Sequence, residues 1–237
     1  MINGNLLHSG CWLFVLVASI ATAQETQVTD AVPPALTEYM GREIAQTMHF
    51  AGAPWLTRES RQREEDCDTM VKQLQLKPGM TVCDMGCGNG FYTLRMADAV
   101  GENGTVLAVD IQPEMLRLME ARAAEQGLDN ITSILGELHD PKLPAGKVDL
   151  ILCVDVYHEF SHPEPMLAAM KNALTDDGAI VLVEFRAEDP NVPIKRLHKM
   201  SKQQINKEMN ANQLFLRREF DGLPWQHMMF FGKKQIE

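Results

Sequence analysis

Basic residues are scarce in this chain. Lys and Arg together number 22 against 32 Asp and Glu, giving a formal net charge of −10 over 237 residues. That balance excludes a general nucleic-acid binder, because neutralising phosphates takes a basic face. Cysteine is sparse and odd in number, five in all, which excludes a disulfide framework and points to free thiols. No apolar run reaches the ~20 residues a helix needs to cross a bilayer, so no stable membrane span is expected. Internal repeats and low-complexity tracts are absent. What remains, at 45% hydrophobic and 23% charged, is the composition of one self-supporting globular domain with extensions.

Charged side chains are missing altogether from the first 24 residues. Within them Cys11 to Ile20 is an apolar run of the length of a secretory h-region, and Ala21-Thr22-Ala23 supplies a small-x-small cleavage pattern. The basic n-region of such leaders is not there. Residues 1–23 are expected to be a signal-peptide-like leader, 24–40 a flexible spacer and 41–237 the folded domain. Export to a periplasm or the exterior follows if the leader is cleaved, and a cytoplasmic location otherwise. Nothing in the sequence sets an oligomeric state.

Beyond the spacer, strands and helices alternate. Cys67, Met70, Val71 and Leu74 share one helix face within Thr57 to Leu76, with Thr57 as N-cap. Met80 to Asp84 is a short apolar strand, and a helix is expected from Phe91 to Val100. Thr105 to Asp110 is a second strand, followed by a helix from Pro113 to Gln126, where Pro suits the first turn. Ile131 to Leu135 and the almost wholly apolar Val148 to Val154 are further strands, the latter patterned for burial on both faces. A helix over Pro163 to Leu174 leads to the strand Ala179 to Phe185. This alternation implies a parallel sheet with right-handed crossovers. A polar helix, Lys202 to Asn212, then precedes two tightly joined strands, Leu214 to Phe220 and Trp225 to Phe231, which must be antiparallel.

In such sheets ligands sit beyond the carboxyl ends of the strands. Asp84-Met-Gly86-Cys-Gly88-Asn-Gly90 lies at one of those ends. Its glycines let a ligand approach the main chain and present N–H groups beside a helix N-terminus. Asp110, twenty residues beyond Gly90, ends the next strand, where a carboxylate can accept both hydroxyls of a ribose. The dinucleotide fingerprint G-x-G-x-x-G fails here, because its last position is Phe91.

With an acid two residues before the first glycine, this segment resembles motif I of the class I S-adenosylmethionine-dependent methyltransferases. Val109-Asp110-Ile111-Gln112, Leu135-Gly136-Glu137-Leu138 with Lys142-Leu143-Pro144, and Val148 through Phe160 resemble the later segments of that family in order, and the terminal hairpin resembles its last two strands. The resemblance implies an α/β, Rossmann-like, seven-stranded mostly parallel sheet of order 3-2-1-4-5-7-6, with the last strand antiparallel and helices on both faces. It also implies S-adenosyl-L-methionine as cofactor and a small or medium-sized molecule as methyl acceptor. Gly86 and Gly88, with Asp84 behind and Gly90 completing the turn, would hold the amino-acid end of the cofactor. Asp110 would take the ribose, Ile111 and Leu138 would sandwich the adenine, and Glu137 would meet its exocyclic amine. Asp155 would face the sulfonium and the acceptor. Two other readings stand beside it: a non-catalytic binder of S-adenosylmethionine or a nucleoside, and an NAD-dependent oxidoreductase.

His158-Glu159-Phe-Ser-His162 formally matches H-E-x-x-H, but that zinc motif needs a helix, and His162 precedes Pro163. No metal is expected from it. His158 and Glu159 lie in the loop closest to the transfer point, where His158 serves either as general base or as a loop hydrogen-bonder. Tyr157 is either a lid or a packed aromatic. Arg186, Lys195, Arg196, His198 and His227 either meet the acceptor or are solvated and structural. Arg58 and Arg61 have Glu64 and Glu65 at helical spacing as alternative partners. Cys67, Cys83, Cys87 and Cys153 show no zinc spacing and are expected buried and free.

Overall fold

Strands rich in Val, Ile, Leu and Cys, buried on both sides, make the middle of the molecule. The structure, a computed structural model, describes residues 1, 2, 4 and 32–235. The apolar run and cleavage pattern of the expected leader fall outside the described residues. Among the described residues no helix is long and apolar enough to cross a membrane.

The strands are β1 (Thr81–Met85), β2 (Thr105–Asp110), β3 (Ile131–Leu135), β4 (Val148–Val154), β5 (Leu174–Arg186), β6 (Phe215–Phe220) and β7 (Gln226–Gly232). They lie in the order 3-2-1-4-5-7-6. β1 to β5 pair in parallel, and β7 runs antiparallel to β5 and β6. The parallel strands and antiparallel final pair are those the alternation and tight hairpin call for, and the order is the one the resemblance implies. β5 begins earlier than expected, because Leu174 already pairs with Val148 and a register shift absorbs Asp176-Asp177-Gly178. A two-residue strand, Lys199–Met200, also pairs with the end of β5.

Alternate residues of the central strands feed opposite cores. Val82, Val106, Leu150, Leu152, Val181 and Val183 pack on one face, and Cys83, Leu107, Ile151, Cys153, Ile180 and Leu182 on the other. A one-residue slip would exchange the two sets, so packing fixes the register. The first face is covered by α3 (Cys67–Gln73) and α4 (Phe91–Val100), with α5 (Pro113–Gln126) over Ala108. The second is covered by α6 (Pro163–Ala173) and α7 (Lys202–Ala211).

Two expectations change at the front of the domain. The continuous helix expected over Thr57 to Leu76 is broken. Short helices occupy Ala53–Leu56 and Arg61–Glu65, Thr57 is a C-cap, and Asp66 (φ 47°, ψ 59°) separates the second of these from α3. Asp is one of the few side chains that tolerates this left-handed conformation, and its carboxylate accepts the Thr69 amide at 3.3 Å to cap α3. The expected face is real: Cys67, Met70 and Leu74 are buried.

The spacer expected through residue 40 also ends sooner. The Pro33 carbonyl meets His162 Nε2 at 2.8 Å, and the Leu36 amide donates to the Ser161 carbonyl. Glu38–Tyr39 pairs with Arg42–Glu43 as a small hairpin. Its Arg42 reaches the buried Glu208 of α7 at 2.7 Å, where Tyr157 also donates. Tyr157 is thus a packed aromatic rather than a lid.

Candidate functional site

The turn after β1 is held by β2. The Gly86 and Cys87 amides both donate to the Val109 carbonyl, and the Gly88 amide donates to Asp110 Oδ2 at 2.9 Å. The N–H groups expected to face a ligand are therefore spent within the fold. What the turn's glycines provide instead is close approach of other groups to the main chain. A Cβ on Gly86 (φ 69°) would lie 2.5 Å from Val156, and one on Gly88 (φ 53°) 2.5 Å from Leu56. Gly90 lies off the cavity wall and makes room for Met119 of α5 beneath the start of α4.

A cavity of about 530 Å³, mostly apolar, opens beyond the carboxyl ends of β1, β2, β4 and β5. Met85, Gly86 and Gly88 form its floor, Asp110, Ile111, Glu137 and Leu138 one end, and Asp155, His158, Glu159 and His198 the other. Residues 47–56 roof it. They are anchored by Phe50 N to Gln112 Oε1 (2.8 Å), Gln112 Nε2 to the Met48 carbonyl (2.9 Å) and Asn89 Nδ2 to the Ala53 carbonyl (3.1 Å). Trp55 stands half exposed with Arg58 stacked on it at 3.8 Å.

At the β2 end, Asp110 Oδ1 accepts the Gln112 amide at 2.9 Å while Oδ2 holds Gly88. Each oxygen keeps a lone pair for a further donor. Burial raises the pKa of Asp110, against the amides that favour its charge. Glu137 is half exposed and pairs with Lys142 at 2.6 Å, which lowers its pKa. Asp84 lies off the cavity wall. Thr93 donates to it at 2.6 Å, tying β1 to α4, and burial pushes its pKa to about 6.

At the β4 tip, Asp155 has φ 51°, and Gln226 donates to its Oδ2 at 2.7 Å. Its Oδ1 is buried with no partner. Burial, then Glu65 and Glu184, raise its pKa well above the carboxylate range. Arg61 also lines the cavity. It is 5% exposed, binds Glu65 at 2.8 Å and the Leu56 carbonyl at 2.7 Å, and lies over the Phe91 and Tyr92 rings. Glu65 also meets Arg58, which binds Glu64 as well. The expected partners are met, Arg61–Glu65 at helical spacing and Arg58 from between the two short helices, and the same cations stand on the cavity wall.

Next to Asp155 is a cluster the sequence did not assemble. His158, fully enclosed, places Nδ1 2.7 Å from Glu184 Oε2 and Nε2 3.0 Å from His198 Nδ1, with Glu159 Oε1 3.9 Å from the same Nε2. Burial opposes charge on His158, but Glu184 outweighs it and the pKa is raised. Burial pushes Glu159 up to about 7, and burial with the neighbouring His158 lowers His198. Glu184 is the member of this cluster that sequence reasoning did not single out, although an acid inside the apolar strand Ala179 to Phe185 is itself a signal. His162 takes no part: its nitrogens meet Ser161 and the Pro33 carbonyl. Arg186 binds three carbonyls of the β6–β7 turn, and His227 is buried off the cavity. Cys67, Cys83, Cys87 and Cys153 are buried free thiols.

These features fit S-adenosylmethionine: two glycines in the floor, a carboxylate with two accepting oxygens at the β2 tip, and an unpartnered buried carboxylate oxygen able to accept from an ammonium group. Comparison with known proteins agrees. The chain is 36% identical over 106 residues to a nocamycin O-methyltransferase of Saccharothrix syringae, covering 45% of this chain and 38% of that one. It is also 36% identical over 74 residues to an aklanonic acid methyltransferase of Streptomyces sp. (strain C5), covering 31% and 34%. The chain thus spans well under half the length of these two relatives. In structure it is similar to a SAM-dependent methyltransferase from Aquifex aeolicus, with a TM-score of 0.73 and 24% identity over 78% of this chain and 98% of that one. A family model described as a methyltransferase domain matches residues 76–231. With two-thirds of its length matched by that model and the sheet order, glycine turn and acidic strand tip all in place, the chain belongs to the methyltransferase domain family.

Proposed function

We propose that this chain transfers the methyl group of S-adenosyl-L-methionine to a small, largely apolar acceptor carrying one ionisable group. The observation that carries the reading is Asp155 Oδ1, buried and unpartnered on the wall of an apolar cavity. A buried carboxylate oxygen without a donor is costly, and a cationic ligand removes that cost. Asp155 and Arg61 would receive the ammonium and carboxylate of the amino-acid end. Asp110 would accept the ribose hydroxyls, Ile111 and Leu138 would enclose the adenine, and Glu137 would exchange Lys142 for the exocyclic amine. When bound, the sulfonium supplies an electrophilic methyl group.

The chain's own work is alignment and exclusion of water. Leu56 and Met48 close the roof over the glycine turn. His158, Glu159 and His198 surround the point where the acceptor's ionisable group enters, and are placed to take its proton. The apolar walls select an acceptor whose remainder is hydrophobic. The O-methyltransferase name of one relative supports an oxygen acceptor.

Calorimetry with S-adenosylhomocysteine and NAD, followed by transfer of labelled methyl to a panel of apolar phenols and carboxylic acids, tests the reading. Binding of the first ligand alone, with label transferred, is expected. Preference for NAD would overturn it, and tight binding without turnover on any acceptor would leave a binding protein.

A further inference from the structure

The buried cluster beside Asp155 brings two imidazoles and two carboxylates together. Glu184 and Glu159 face His158 and His198 in a cavity end sealed by β5 and the roof. The nearest guanidinium, Arg42, is committed to Glu208 and the His158 carbonyl. Among the described residues Lys195, on the cavity wall, forms an ion pair with neither carboxylate.

We propose that His158 Nε2, His198 Nδ1 and the Glu159 carboxylate form a binding site for a divalent first-row transition metal at the acceptor end of the cavity. The three donor atoms lie within 4.8 Å of one another. Two ligands about 2.1 Å from one ion stand about 3.0–3.4 Å apart; His198 Nδ1, at 3.0 Å from His158 Nε2, already stands so, and Glu159, at 3.9 Å, would close in by a side-chain rotation. The Glu184–His158 contact supplies the outer partner that metal-binding imidazoles characteristically have, since a carboxylate on Nδ1 leaves Nε2 with its lone pair facing the ion. The ligands come from the β4 loop and from the segment before the Lys199–Met200 strand, so the cavity side stays open for the acceptor. Two imidazoles and one carboxylate favour a borderline ion over Mg²⁺, which prefers oxygen ligands.

This inference rests on the proposed function for its role, which is to stabilise the acceptor's oxyanion, and not for the binding itself. The chain, stripped with a chelator, is titrated with Co²⁺, Zn²⁺ and Mg²⁺ while visible absorption and heat are recorded. S-adenosylhomocysteine binding is measured in parallel. One equivalent of Co²⁺ with d–d bands is expected, displaced by Zn²⁺ and not by Mg²⁺. His198→Ala and Glu159→Gln should remove the bands, and Glu184→Gln should weaken binding by roughly 10–100-fold, with thermal unfolding checked for each variant. Long-range ¹H–¹⁵N spectra of the unmodified chain provide a reading free of substitution, and two imidazoles should shift on adding Zn²⁺. No Co²⁺ bands at millimolar metal, or bands that survive both ligand substitutions, would overturn the site. If S-adenosylhomocysteine still binds in that case, the proposed function stands alone. Metal binding without affinity for S-adenosylhomocysteine would support the site and sink the function.

Discussion

Asp110 holds Gly88: the carboxylate at the tip of β2 accepts the amide of the second glycine of the turn at 2.9 Å. The group that would grip a ribose is therefore also the strut that shapes the floor beneath the sulfur. The two roles separate by substitution.

Asp110→Asn keeps an acceptor oxygen for one amide, whereas Asp110→Ala frees the amides of both Gly88 and Gln112. Affinity for S-adenosylhomocysteine, read by calorimetry, should fall about tenfold for Asn and about a hundredfold or more for Ala, or roughly 1.4 and 2.7 kcal/mol. Both should lower the unfolding free energy, Ala by about 1–3 kcal/mol and Asn by less, because Asn leaves one of the two amides unpaired.

Gly88→Val should abolish S-adenosylhomocysteine binding. At φ 53° any side chain is strained, and its Cβ would meet Leu56 at 2.5 Å. Gly127→Ala shares a positive φ of 67° but meets nothing within 4 Å. It should cost stability of about 1 kcal/mol through backbone strain and leave binding unchanged. Equal effects at the two sites would contradict the close-approach argument.

Asp84 supplies a pH dependence of stability. Its folded pKa, pushed up to about 6 by burial, exceeds its ordinary value of 3.8. The native state holds this proton more tightly than the unfolded chain does, so stability is lost as pH rises from about 4 through 6. The full cost above that range is about 3 kcal/mol. Asp84→Asn retains an acceptor for Thr93 and removes the charge. Urea unfolding should show the variant more stable than the parent at pH 7.5, by a margin that shrinks at pH 5. A margin independent of pH would refute this account.

Arg61→Met should destabilise the chain by about 3 kcal/mol, the lower end for removing one partner of a buried ion pair, because Arg58 still engages Glu65. The same substitution should weaken S-adenosylhomocysteine binding, if this guanidinium receives the amino-acid carboxylate. Denaturant unfolding and calorimetry on one preparation read both effects.

Much of this architecture is legible in the sequence because its signals are local. Apolar strands between helical segments dictate a parallel sheet, and the glycine turn and Asp110 lie at strand ends where topology brings them together. Pairing of Arg61 with Glu65 follows from i,i+4 spacing. The parts that escaped depend on distant packing. His198 meets His158 across forty residues of chain, and Glu184 reads as one acid in a hydrophobic strand until His158 is seen against it. The break at Asp66 is a backbone event that periodicity does not register, and the free turn amides were an illusion because their acceptors belong to β2.

The roof over the cavity is drawn from residues 47–56, ahead of the family-matched stretch that starts at residue 76. It is stitched to the glycine turn through Asn89, to the start of α5 through Gln112 and to the β4 loop through Glu159. One short stretch upstream of the matched region thus buttresses three separate elements of it, so a change there is transmitted along the whole length of the cavity.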